Sequence, residues 1–229
     1  MSGTAVPVAT CLEPHYRRGM QLIGQFDSPF VRRVAIALDH YEMPFEHLPW
    51  SVWADAEAIA ARNPLRRVPV LVLDDAEALI DSSAILDAID DLAPPGRRLI
   101  PPSGPVRRAV LRACALCTGL GDKAVSLFYE RALRKEKALQ NHVWIDRCTA
   151  QIRDTLDLVE AERGKSPLEA WFGAFGHADV ALGCVLRFVH ETHPGLLAER
   201  ARPALASHSA RCEAMPLFQK SVQPFHVAL

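Results

Sequence analysis

Apolar and polar positions along the 229-residue chain change period near its middle. From Met20 to about Leu92, short β-rich runs alternate with helical stripes. Gln21-Leu22-Ile23-Gly24-Gln25-Phe26 reads as a short strand, and residues 45–48 as a second. Between them Val31, Val34, Ala35 and Leu38 recur at i, i+3, i+4 and i+7, the stripe of a helix packed on a sheet. Asp27-Ser28-Pro29 opens that helix. Ser28 suits an N-cap, and Pro29 suits the first helical position, where an N–H would have no intrahelical partner. A short helix is expected around residues 54–61, broken by Asn63-Pro64. Val68-Pro69-Val70-Leu71-Val72-Leu73 is β-rich, yet Pro69 has no N–H to give a ladder. It therefore marks the first residue of a strand or a cis turn. Asp74-Asp75 turns the chain into Ala78-Leu79-Ile80, and Asp81-Ser82 starts a helix with Ile85, Leu86 and Ile89 inward.

The resulting order, strand–helix–strand–helix–strand–strand–helix, is the thioredoxin-like arrangement of a small α/β sheet covered by helices. From Ala93 to Pro105 the composition shifts to five prolines and two glycines. Beyond it the pattern is helical throughout, with helices expected over about 106–133, 142–162, 178–190 and 204–214. The expected organisation is a thioredoxin-like domain over 20–96, a linker at 97–102 and an all-helical domain over 103–229. Residues 1–19 show no periodicity and read as a disordered lead, with Met20 an alternative start.

Charge and cysteines narrow the class. Lys plus Arg is 26 against 27 for Asp plus Glu, which excludes a strongly basic nucleic-acid binder. No apolar run is long enough to span a membrane. Cys11, Cys114, Cys117, Cys148, Cys184 and Cys212 lack secreted-domain spacing and follow no signal-like start, so the expected compartment is a reducing cytoplasm. Cys114-x-x-Cys117 has no second ligand pair and reads as two buried helix thiols rather than zinc ligands. His190-Glu191-Thr192-His193 has its histidines in the wrong register for zinc and reads as a helix end with solvated histidines. No metal is expected.

Ser28-Pro29-Phe30-Val31 occupies a strand-to-helix turn. Thioredoxins carry Cys-x-x-Cys at this place, where a helix N-terminus lowers a thiol pKa. Here Ser28 and Val31 stand at the cysteine positions, so disulfide exchange has no nucleophile. A hydroxyl at a helix N-terminus can instead hydrogen-bond a bound thiolate, or it can serve only as the cap.

Asn63-Pro64-Leu65-Arg66-Arg67-Val68-Pro69-Val70-Leu71 followed by Ile80-Asp81-Ser82-Ser83-Ala84-Ile85 resembles the glutathione-binding half of the glutathione transferase family. The resemblance is close from Met20 to about Leu92 and looser in the helical remainder. It implies glutathione as co-substrate, with a cis Pro69 turning the Val68 backbone toward the cysteinyl unit. Ser82 would take the γ-glutamyl carboxylate at a helix N-terminus, and Asp81 the ammonium. Arg67 would hold an anionic end or stay solvated, and Phe30 would line the site. Ser28 would activate the thiol. Trp50, Trp53, Phe128 and Tyr129 are candidates for the pocket of a small hydrophobic electrophile, although such aromatics also serve as plain core.

Gly176-His177-Ala178-Asp179 is similar to the family's buried capping box, with Asp179 at N3 and glycine in place of the hydroxyl. A small loss of local stability follows. Ser-Pro-Phe-Val-Arg places the chain nearest the bacterial serine/cysteine-type branch. It lacks the Ser-Ser-Cys run of zeta-class isomerases and the active-site cysteine of omega, beta and hydroquinone-reductase types, so thiol transfer is not the expected activity. The resemblance also implies a two-fold homodimer, for which the long helix offers the apolar face of Leu111, Leu116 and Leu120. Two alternatives remain: a non-catalytic binding or regulatory protein on this fold, and a glutathione-dependent isomerase, dehalogenase or peroxidase.

Overall fold

The computed structural model describes residues 19–225. Residues 1–18 of the expected 1–19 lead, Cys11 among them, lie outside the described residues. Four strands and three helices come first: β1 (Met20–Ile23), α1 (Pro29–Tyr41), β2 (Phe45–Leu48), α2 (Ala56–Ala60), β3 (Val70–Val72), β4 (Ala78–Ile80) and α3 (Ser82–Leu92). The sheet runs β2-β1-β3-β4, with β1 and β2 parallel and the other pairs antiparallel. Leu22 and Leu71 pair in register and face α1 and α3, burying with Val31, Val34, Leu38, Ile85 and Ile89. Ile23, Val70 and Val72 point to the other face, against Ile59 of α2. This alternation is what a two-sided sheet requires.

The remainder is helical: α4 (Gly104–Leu133), α5 (His142–Gly164), α6 (His177–Thr192), α7 (Pro194–Ala198), α8 (Pro203–Ala214) and α9 (Pro216–Gln219). The core lies between α4, α5 and α6, and α6 also packs on α1. The proline-rich connection is anchored, because Leu99 buries with the sheet domain's core and Ile100 with the helical one. Among the described residues no helix is long and apolar enough to cross a membrane.

Three expectations need correction. The β1 run stops at Ile23, and Gly24 leaves the strand at φ +125. His193 is not solvated: it is buried, with Nε2 2.9 Å from the Ala124 carbonyl oxygen. On α4, Leu120 is buried and Leu116 packs against the core, leaving only Leu111 of the three exposed.

Candidate active site

The turn after β1 is shaped by a close approach. A Cβ on Gly24 would meet Val31 Cγ2 at 2.6 Å and Val68 Cβ at 2.8 Å, so only glycine lets the chain pass between α1 and the Val68 loop. His47 lies with Nε2 2.8 Å from the Gly24 carbonyl oxygen, and its ring stacks on Phe26 at 3.8 Å. The turn ends at Ser28, the N-cap of α1, whose Oγ accepts from the Val31 N–H at 3.4 Å. The hydroxyl proton is not used by this bond.

Facing the turn, Val68-Pro69 is a cis peptide just before β3. Buried Asn63 holds the preceding loop, donating from Nδ2 to the Arg67 carbonyl at 2.8 Å and accepting from the Leu65 N–H at 3.1 Å. Asp81 sits at φ +68 and caps α3 by accepting from the Ser83 N–H at 2.8 Å. Ser82 is buried at the first position of that helix.

These residues share one cleft. Its polar end, about 130 Å³, is lined by Phe30, Arg67, Val68, Asp81 and Ser82 from the sheet domain and by Thr118 and Asp122 of α4. A middle part of about 460 Å³ is lined by Ser28, Phe30, Arg67 and Val68 together with Trp53 and Tyr129. The far end, about 370 Å³, runs from Ser28 to Trp53, Phe128, Tyr129, Phe188 and Phe225. Trp53 meets Tyr129 edge-on at 5.4 Å, and Phe225 meets Phe128 in the same way at 4.9 Å. Trp50 does not join them. It packs behind the sheet with Ile23, Ile59 and Val70, which removes it from the pocket set.

Arg67 is exposed and donates to Asp122 at 2.9 Å across the cleft mouth. Phe30 reaches α4 at Gly121, where a Cβ would lie 3.2 Å from its ring. The residues to which sequence reasoning gave no part in the site are Gly24, Asn63 and Phe225, along with Arg32 and Arg33 of α1. The arginines fall off the apolar stripe, and Phe225 belongs to a segment too short to show a period.

Burial decides which groups can serve as nucleophiles. All five described cysteines are buried. Their thiols are pushed up by burial, those of Cys184 and Cys212 to about 12. None of the five is a thiolate at neutral pH.

Family models for the glutathione S-transferase N-terminal and C-terminal domains match residues 22–98 and 143–211. A solved glutathione S-transferase from Methylobacterium radiotolerans, in complex with glutathione sulfonate, is 30% identical. That match covers 92% of this chain and 97% of the other, with a TM-score of 0.83. The chain belongs to the glutathione S-transferase family. Another family structure, from Methylobacillus flagellatus with GSH bound, is 28% identical with a TM-score of 0.81, covering 89% of this chain and 98% of that one. Among curated relatives, an uncharacterized GST-like protein, YibF of Escherichia coli, is 27% identical over 79% of this chain and 88% of its own. Glutathione S-transferase U17 of Arabidopsis thaliana is 27% identical over 76% and 74%. The fold of the family is thus a four-stranded sheet domain joined to a helical one, and here the cleft between them is the candidate site.

Proposed function

We propose that this chain is a glutathione transferase that binds the tripeptide along the polar and middle parts of the cleft and presents its sulfur to an electrophile in the aromatic end. The observation that carries this reading is the place of Ser28, which lines both the middle part and the aromatic cavity. In this reading the γ-glutamyl carboxylate meets the Ser82 hydroxyl and N–H at the start of α3. Asp81 faces the ammonium, Val68 pairs with the cysteinyl backbone and Arg67 attracts the remaining anionic end. That family structures hold GSH or glutathione sulfonate supports glutathione as the ligand.

The Ser28 oxygen receives the Val31 N–H, so its own proton is free for the sulfur. A free thiol has a pKa of about 8.5, and lowering it by about two units takes roughly 2.7 kcal/mol of preferential interaction with the thiolate. A charge-assisted hydrogen bond and the α1 dipole supply energies of that order. The sulfur lone pair forms the new C–S bond, and the leaving group departs with its bonding electrons. The aromatic walls select small apolar electrophiles without specifying which. Because the described thiols are buried and protonated, the nucleophile comes from the bound tripeptide.

The test is the absorbance of bound glutathione thiolate against pH in the wild type and Ser28→Ala. The variant is expected to titrate higher and to turn over about ten- to a hundredfold more slowly, the equivalent of one charge-assisted bond. The Val31 contact also fits a second reading, in which Ser28 is only a cap and the protein a binder. Superimposable titrations, with a stability loss of about 1 kcal/mol, would establish that reading.

A further inference from the structure

Two consecutive arginines of α1 are buried, Arg32 at 1% and Arg33 at 3% exposure. Arg32 is fully engaged: it donates to both carboxylate oxygens of Glu213, at 2.6 and 2.9 Å, and to the carbonyls of Phe218 and Ser221. Arg33 is not. Its Nη1 donates to Ser82 Oγ at 3.4 Å, its Nε has no hydrogen-bond partner, and among the described residues it forms no ion pair. The groups that feel its charge, Cys114, Cys117, Cys184 and His177, bring no counter-charge. The carboxylates acting on the same groups are held elsewhere: Asp90 by Tyr41 and the Leu99 N–H, Asp179 by the Trp171 and Gly176 N–H groups, and Glu213 by Arg32. A guanidinium stays ionised in a protein, and burial without a directly paired anion is costly. The buried cation therefore lies beneath the helix start that the glutathione reading assigns to a carboxylate.

We propose that Arg33 is a positioning residue that acts through Ser82 to make the polar end of the cleft selective for a carboxylate. This rests on the glutathione reading above. A hydroxyl has one proton and two acceptor sites, while arginine can only donate. With Arg33 Nη1 on one acceptor site, the Ser82 proton is directed into the cleft, toward the anion. The guanidinium adds a positive charge behind it, in a setting with little water to screen it. The free N–H groups of α3, an eleven-residue helix, complete the site. A ligand with a neutral group in this place would lose both contributions.

The experiment compares glutathione with its 4-aminobutyryl-cysteinylglycine analogue, which lacks the γ-glutamyl α-carboxylate, by calorimetry and steady-state kinetics. For Arg33→Met, glutathione affinity is expected to fall at least tenfold and its KM to rise in parallel. The kcat at saturation should stay within about twofold, and the analogue should bind wild type and variant equally. Arg33→Lys keeps the charge, and its preference for glutathione over the analogue is expected to remain within about threefold of wild type. Equal losses for both ligands would mean a merely structural role and overturn the proposal, as would no loss for glutathione. If Arg33→Met does not fold, Arg33→Lys decides: an unchanged preference supports the proposal and an abolished one refutes it. Wild-type protein that binds no glutathione would instead refute the underlying reading, and the proposal with it.

Discussion

Gly176→Ser would restore the hydroxyl that the capping-box pattern lacks, and from local rules alone it should gain a few tenths of a kcal/mol. The structure reverses the sign. A Cβ at Gly176 would lie 2.6 Å from the Leu99 carbonyl oxygen, well inside contact distance. That carbonyl cannot retreat freely. It accepts from the His177 N–H at 3.0 Å, and the Leu99 N–H is held by Asp90 Oδ1 at 2.9 Å. Leu99 is itself buried in the sheet domain's core. The glycine is thus a contact requirement and not a conformational one, since its backbone is extended at φ −158. Forcing the linker away costs about 1–3 kcal/mol by analogy with other overpacked sites. The half of the box that exists, Asp179 Oδ2 accepting from the Gly176 N–H at 3.0 Å, offers no compensation. For a chain of this size the expected fall in Tm is roughly 3–10 °C. Urea and thermal unfolding of Gly176→Ser and Gly176→Ala are the assay, with alanine sharing the clash but lacking the hydroxyl. Both should be less stable than wild type, alanine by slightly more. A serine variant as stable as wild type would refute the reasoning.

Arg32→Met removes four hydrogen bonds to the C-terminal segment and leaves Glu213 half-buried without its main partner. A loss of about 3–5 kcal/mol in urea unfolding is expected, and a loss under 1 kcal/mol would contradict the packing described. Stability should also fall on acidification. Burial, with Arg163 and Arg211 near its ring, holds His208 at about 4, and burial likewise lowers His177 and His193. Unfolded histidines take up protons near pH 6.5, so the stability present above that value drains toward pH 4, by up to ~1.4 kcal/mol per pH unit for each group. Asp179, raised by burial, opposes this as one group against three; equal urea midpoints at about pH 7.5 and 5 would exclude it. Self-association into a two-fold dimer is expected to cover exposed Leu92, Val106 and Leu111, and light scattering that returns only monomer mass at micromolar concentration would rule it out.

What could be read from the sequence is what is local. Ser28-Pro29 and Asp81-Ser82 announce helix starts because caps act within three residues, and both stand at N-termini here. The stripes of α1 and α3 give their buried faces directly. Contacts made at long range left no such signal. Phe225 reaches the cavity through Phe128 and Phe188, and Trp50 and Trp53 look equivalent until the loop sends one behind the sheet and the other to Tyr129. Composition marked residues 93–105 as a connection, but not that Leu99 and Ile100 would be gripped by different cores. Charged residues resisted reading most. The apolar stripe of α1 leaves Arg32 and Arg33 outside it, yet α6 and the C-terminal segment pack on α1 and both arginines are buried.

Those two arginines give α1 a part in both halves of the cleft. Successive helical residues point about 100° apart, so adjacent positions can serve different neighbours. Arg32 ties the helix to Glu213, Phe218 and Ser221. The same segment continues to Gln223, which accepts from the Phe26 N–H at 2.9 Å, and to Phe225 in the aromatic cavity. Arg33 ties the helix to Ser82 at the polar end. Ser28 caps this helix, so its hydroxyl is referenced through one rigid element to both the polar and the aromatic end of the cleft. Orientation of two reactants is a large part of what a transferase can contribute. The buried charges thus tie α1 to the segments at both ends of the cleft, while the apolar stripe of α1 supplies its seat on the sheet.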